Sequence, residues 1–300
     1  MVACASPLPL DASTVTPAPP LLGGYLRETR IVYPLVIGDG WRAQDEKRYE
    51  PPEMGVSVRY AADSREGAWL DVYFYPAGEV GAAFLDAHMA QTIDNLHGAD
   101  GAVHGRTLRF GAISSDRVVL DAVDDASADG ELRSAAGSMR AGEAAYHSAL
   151  AIALRQYYFI KVRYTVPETT ASPESVRTDA ARLLGQLIER VDITSTGACG
   201  APLSRVVIGV DEAFPDVRLA DVTRDEQMRA VLTPDFRVVT RDAGDPAVLL
   251  LDTTGRALRQ TRYPGCAGET PVEPQVPDGH REIRIEYRMP AARRAASAGH

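Results

Sequence analysis

A chain of 300 residues that is 45% hydrophobic and 24% charged has a globular composition and room for one large or two ordinary cores, which excludes wholesale disorder. Its formal charge of -9 and pI ≈ 5.2 argue against a nucleic acid or an anionic membrane as partner, since both call for basic surface. No stretch reaches the roughly eighteen continuous apolar residues of a spanning helix, and the longest candidate, Ala149 to Ile160, is broken by Arg155 and Gln156.

Residues 1–24 read as a tether or processed segment, rich in Pro, Ser, Thr and Ala and unable to bury enough surface to fold. Within it, Met1-Val2-Ala3-Cys4 resembles the end of a bacterial lipoprotein signal, which makes Cys4 a candidate lipidation site. Tyr25 to Pro34 carries β-type residues, and Gly38-Asp39-Gly40 marks a turn before Trp41. Val56 to Tyr60 and Trp69 to Tyr75 alternate as two strands of a hairpin, with Leu70, Val72 and Phe74 on one face and Trp69, Asp71, Tyr73 and Tyr75 on the other. Gly78 to Leu96 has helical period, with Leu85, Met89, Ile93 and Leu96 in one stripe and Gly98 as a stop.

Arg106 to Ile113 and Arg117 to Ala122 read as a hairpin turning at Ser114-Ser115-Asp116, and Asp121 to Gly137 reads as a polar loop. Two alternating runs, Tyr146 to Leu154 and Tyr158 to Val166, make a further hairpin through Arg155-Gln156. The clearest helix follows. Ser172 caps it, Pro173 takes its first position, Glu174 suits the positive end of its dipole, and Val176, Ala180, Leu183, Leu184, Leu187, Ile188 and Val191 line its apolar face.

A Thr/Gly/Ala/Pro segment at 194–202 suggests a boundary, dividing a domain at 25–194 from a small, mostly β domain at 195–290. In the latter, Arg205 to Val210 and Phe236 to Thr240 read as extended and Arg224 to Leu232 as a short helix. Ala247 to Leu251 and Ala257 to Tyr263 read as a hairpin about Asp252-Thr253-Thr254-Gly255, and Glu282 to Tyr287 as a last strand. Residues 291–300 read as a disordered tail.

Cys199 and Cys266 both sit in Gly-rich loop contexts and fit no zinc spacing, so they are read as a disulfide, worth roughly 4 kcal/mol in the chain-entropy model. The alternative is two buried, unpaired thiols in a cytosolic protein. No Gly-x-Ser-x-Gly elbow occurs, because Arg59 stands where Gly55-Val56-Ser57-Val58 needs its last glycine, and neither Lys47 nor Lys161 follows a phosphate-binding Gly loop. His88 and His97 are nine positions apart and point to opposite sides of an ideal helix, so they build no metal pair; His104 follows them in the same His-rich stretch. Asp121, Asp124, Asp125, Asp129 and Glu131 make an acidic loop whose spacing is out of phase with a calcium loop. No cofactor and no catalytic residue is assigned. The candidate partner surface is aromatic: Trp69, Tyr73, Tyr75, Tyr157 and Phe159, on whichever sheet face a helix leaves open, fitted to a protein or a small apolar ligand.

Gly40-Trp41 after an extended entry, then Tyr157-Tyr158-x-x-Lys161-x-Arg163-x-Thr165 before an amphipathic helix, give the first half an order that resembles the Mog1/PsbP/DcrB fold group. The resemblance covers just over half of the chain. It implies an α+β fold, an antiparallel sheet flanked by helices, in a protein often exported and acting as a binding or assembly factor. The expected function is therefore a non-enzymatic accessory protein of the bacterial cell envelope, periplasmic or outer-membrane-anchored, touching the membrane only through a lipid at Cys4. The rivals are a hydrolytic or metal-dependent envelope enzyme using the 121–131 loop with His104 or His147, and a cytosolic protein of unknown role.

Overall fold

The computed structural model describes residues 26–78, 80–103, 106–120, 129–197, 203–262, 273 and 275–287. Cys4, Cys199, Cys266, His104, Asp121, Asp124, Asp125, the tether and the tail lie outside them. The chain is α+β. Its strands are β1 (Leu26–Pro34), β2 (Val36–Ile37), β3 (Trp41–Arg48), β4 (Val56–Ala61) and β5 (Trp69–Pro76), followed by helix α1 (Ala82–Val103). Then come β6 (Arg106–Phe110), β7 (Ser114–Arg117), β8 (Glu131–Ala141), β9 (Ala144–Arg155), β10 (Tyr158–Pro167) and α2 (Pro173–Ile188). The rest comprises β11 (Asp192–Gly197), β12 (Ser204–Val207), β13 (Ala220–Arg224), β14 (Gln227–Leu232), β15 (Arg237–Thr240), α3 (Pro246–Arg262) and β16 (His280–Glu286).

These strands form three sheets. The largest runs β2-β3-β4-β5-β10-β9-β8-β6, with β7 also paired to β8. A four-stranded sheet runs β12-β15-β14-β13, and a three-stranded one runs β11-β1-β16. Every pairing is antiparallel except β12 with β15.

The large sheet has two differently covered faces because side chains alternate along each strand. Val58, Tyr60, Leu70, Val72, Phe74, Ile160, Val162 and Tyr164 share one face with the apolar stripe of α2, and Ile31, Tyr33, Ile193, Ile283 and Ile285 of the three-stranded sheet join the same core. α2 begins where its sequence says: the Ser172 side chain accepts from the Ser175 amide at 3.2 Å, and Pro173 follows. α1 packs on the opposite face, where Leu85, Met89 and Ile93 meet Ala135, Leu150, Ile152, Leu154 and Phe159. It continues through Gly98 to Val103, since one interior glycine costs a helix only about 1 kcal/mol.

Four local expectations are corrected. Glu131 to Gly137 is strand, not loop, and β8 is the partner of both β6 and β7, so residues 106–122 make no hairpin of their own. Arg224 to Leu232 is no helix. β13 and β14 turn through Asp225 and Glu226, both at positive φ (51° and 61°), the conformation of a tight two-residue hairpin. Residues 247–262 are one helix, not a hairpin. Asp245 caps it by accepting from the Ala247 amide at 2.9 Å, and Thr253 and Thr254 donate back to the Leu249 and Leu250 carbonyls. Gly255, read as a turn residue, sits where a Cβ would lie 2.3 Å from Leu203 Cδ1, so its role is close packing.

Residues beyond 195 divide between two sheets. β12 to β15 and α3 share their own core of Leu203, Ala230, Leu232, Phe236, Val238, Val248 and Leu251. β16 pairs instead with β1 along its whole length, from Glu28 opposite Glu286 to Pro34 opposite His280.

Candidate functional site

The open part of the large sheet lies beside α1. Antiparallel register sets Trp69 opposite Thr165, Asp71 opposite Arg163, Tyr73 opposite Lys161 and Tyr75 opposite Phe159, all on the α1 face. At the Phe159 end the helix closes over the sheet. His88 of α1 stacks on Phe159 at 4.1 Å between ring centroids, and its Nε2 lies 2.7 Å from the Tyr75 hydroxyl. Burial, with the Lys161 charge as second cause, pulls His88 down to about 4, so the ring is neutral at physiological pH.

Beyond Tyr75 no described helix covers the sheet, and the surface changes from apolar to aromatic and basic. Trp69 and Tyr73 are half-buried. The Trp69 ring meets Tyr146 edge-on at 5.3 Å, and Tyr73 stacks with Tyr49 at 6.5 Å. Lys161 Nζ stands 4.4 Å from the Tyr73 centroid and 5.5 Å from Tyr75, while Lys47 Nζ stands 5.0 Å from Tyr49. Lys47 and Lys161 are the only lysines of the chain, and both lie here against tyrosine rings. Desolvation, with the like charge of Arg163 second, pulls the Lys161 amine down to about 8. Arg59 holds Asp71 in a bidentate pair at 2.7 and 3.0 Å. Register places Arg42, Lys47, Arg59, Lys161 and Arg163 on this face of β3, β4, β5 and β10, against the carboxylates Asp45 and Asp71 alone. The patch is therefore net positive on a chain of formal charge -9.

Sequence reasoning named Trp69, Tyr73 and Tyr75, and the sheet brings these together. Phe159 shares their face but is only 3% exposed beneath α1. Tyr157 does not share it. It sits at φ 70° in the β9–β10 turn, is buried with the α2-side core, and its carbonyl accepts from the Ala77 and Gly78 amides. Alternation cannot be extended through a left-handed turn residue, which is why Tyr157 was assigned to the wrong face. The cations Lys161, Arg59 and Arg163 were missed as site residues, although the Lys-x-Arg alternation with Phe159 already put Lys161 and Arg163 on the aromatic side.

The described members of the enzymatic alternative do not converge. His147 faces the α2 side near the start of β9 and donates through Nδ1 to the Ala171 carbonyl at 2.7 Å. Asp129 lies at the other end of β9, buried, and accepts from the Gln156 amide at 2.8 Å. The seven residue steps from His147 to Leu154, whose carbonyl binds the Gly130 amide, span roughly 23 Å at strand rise. Glu131 is engaged by Arg117 and Arg133. His97 Nε2 accepts from the Phe110 amide at 3.3 Å. A concavity in the four-stranded region is lined by Gln227, Arg229, Arg241 and Asp245, but its cations are already engaged. Arg229 pairs with Asp245, and Arg241 stacks on Phe214 and donates to the Glu212 carbonyl.

No family model matches the chain, and no curated protein matches it. Among solved structures it is similar to the solution structure of cyanobacterial PsbP (CyanoP) from Synechocystis sp. PCC 6803, with a TM-score of 0.37 and 10% identity over 55% of this chain and 93% of that chain. The likeness is a weak relation of fold, and no residue's role is taken from it.

Proposed function

We propose that this protein is a non-catalytic binding factor whose open sheet face docks an acidic segment of a protein partner. One observation supports the reading above others: half-exposed Trp69 and Tyr73 lie among five cations and two carboxylates on an otherwise acidic chain. Aromatic rings supply contact area at low entropic cost, and complementary charge steers encounter and fixes register. A small apolar ligand fits less well, because the apolar end of the face lies beneath α1.

The protein carries its own reporter. Trp41 is 1% exposed in the opposite core, so a change in tryptophan emission on binding arises at Trp69. Titration with a Glu-Ser repeat peptide is expected to give a saturable change that weakens with salt. Replacing Arg59 and Arg163 by Gln is expected to weaken it roughly tenfold, about 1.4 kcal/mol. An equal response to a Lys-Ser repeat, or a response to oligothymidylate and none to the acidic peptide, would overturn the reading.

The same proposal puts the protein in the cell envelope, tethered by a lipid on Cys4 and cross-linked between Cys199 and Cys266. Its support is the Ala3-Cys4 context, the Pro-rich segment behind it and the Gly-rich settings of the two later cysteines. Mass spectrometry of protein from its native host should find an acylated Cys4 and no free thiol. An unmodified Cys4 with two free thiols sinks this placement and leaves the docking face standing.

A further inference from the structure

Lys161 differs from the other charged groups of the face. Arg59 is held by Asp71, whereas the Lys161 amine has no hydrogen bond or ion pair among the described residues. What faces it is known from each neighbouring element: Tyr73 and Tyr75 from β5, Arg163 two places along β10, the neutral His88 from α1, and Ile152 opposite on β9. Among the described residues the amine is thus flanked by rings and a like charge, with no carboxylate paired to it. The residue is largely but not fully buried, at the rim of the covered zone. An arginine would supply the cation equally well, and 30 of the 32 cationic side chains are arginine. Only an amine also offers a nucleophilic lone pair.

We infer that Lys161 is a covalent capture site for small aldehydes and ketones, taken up as an imine at the centre of the docking face. The Nζ lone pair attacks the carbonyl carbon, forming the C–N bond. The carbonyl oxygen then leaves as water, carrying off the two protons of the neutral amine. No oxidant or reductant takes part, and hydrolysis reverses the step. Desolvation of the amine and the nearby Arg163 raise its neutral fraction near pH 7, and the same cations favour carbonyl compounds bearing an anionic group. An adduct here covers Tyr73 and competes with a docked segment. That consequence rests on the proposed function, but the amine chemistry does not.

Lys47, with its ring contact on the same face, is the internal reference. The folded full chain is treated with pyridoxal 5'-phosphate at neutral pH and reduced with borohydride, and each lysine's occupancy is read by mass spectrometry. Lys161 is expected to be labelled at least about fivefold faster than Lys47, with its rate levelling off above about pH 8. The preference should vanish in urea, and Lys161→Arg should remove the fast adduct while leaving Lys47 labelling unchanged. Equal or faster labelling of Lys47 in the folded protein, or the same preference in urea, overturns the inference. Titrating the reduced adduct with the Glu-Ser peptide separates the two proposals. Selective labelling with unmodified protein that ignores the peptide keeps the capture site and removes the docking reading; peptide binding without selective labelling does the reverse.

Discussion

Asp129 shows how one residue's surroundings change its chemistry. In sequence it belongs to an acidic run, yet it is 3% exposed, accepts from the Gln156 amide, and lies 4.0 Å from Arg155 Nη1. Burial lifts its carboxyl to about 6 despite that hydrogen bond and the positive charge of Arg155. A carboxyl with a raised native pKa binds its proton more tightly folded than unfolded. Its contribution is therefore greatest below about pH 4 and declines as pH rises to about 6, a difference on the order of 3 kcal/mol. Asp129→Asn, which keeps an oxygen for the Gln156 amide, should gain stability relative to the native protein between pH 4 and pH 7 by about that amount. Urea midpoints at several pH values check this, and a constant difference across the range would refute it. At α2, Ser172→Ala should cost about 1 kcal/mol by removing the acceptor for the Ser175 amide, measurable by thermal unfolding.

Elements were legible where their own residues decided them. α2 carries its cap, its first-turn proline and its apolar stripe in sequence, and the structure uses all three. α3 is hard to read from sequence because Thr253-Thr254-Gly255 has the composition of a turn, although Asp245 before Pro246 is a helix-start signal. The helix holds because Val248 and Leu251 pack on Leu232 and Val238 and because buried Asp252 accepts from the Leu203 amide at 2.7 Å. β8 was hidden by its small and polar residues. Gly137 shows why they are needed, since a Cβ there would lie 1.7 Å from the Arg109 carbonyl oxygen of β6. Gly137→Ala should push β6 off β8 and cost roughly 1–3 kcal/mol. Hydrogen exchange should then show amides of Arg106–Phe110 losing protection ahead of those in β10; uniform protection in the variant would contradict this.

For the whole molecule, the organising contact joins the two ends of the described chain. β1 pairs with β11 on one side and β16 on the other, so the segment bearing β12 to β15 and α3 leaves after β11 and the chain returns to β1. A charged cluster sits at this junction, where Arg30 binds Glu28, Glu273 and Glu282, and Arg284 also binds Glu28. Arg30 and Glu28 are buried, so removing one partner strands a charge. Ile283→Ala, at 1% exposure, should cost about 2–5 kcal/mol. It should do so by loosening the core that contains Ile31, Val58 and Tyr158. Hydrogen exchange across β1 and β10 tests this, and a loss of protection confined to 203–262 would show that β16 belongs energetically to that segment instead.

By itself the sequence determined the α+β class, the β5 and β10 strands with their aromatic side, and the capped helix α2, because periodicity and caps are local properties of consecutive residues. The tertiary structure decided the rest of the site. Which half of the aromatic face α1 covers, that Tyr157 turns to the other core, and that Lys161 meets two tyrosines all depend on strand register and on where a helix docks. These are contacts between residues far apart in the chain, and no local pattern encodes them.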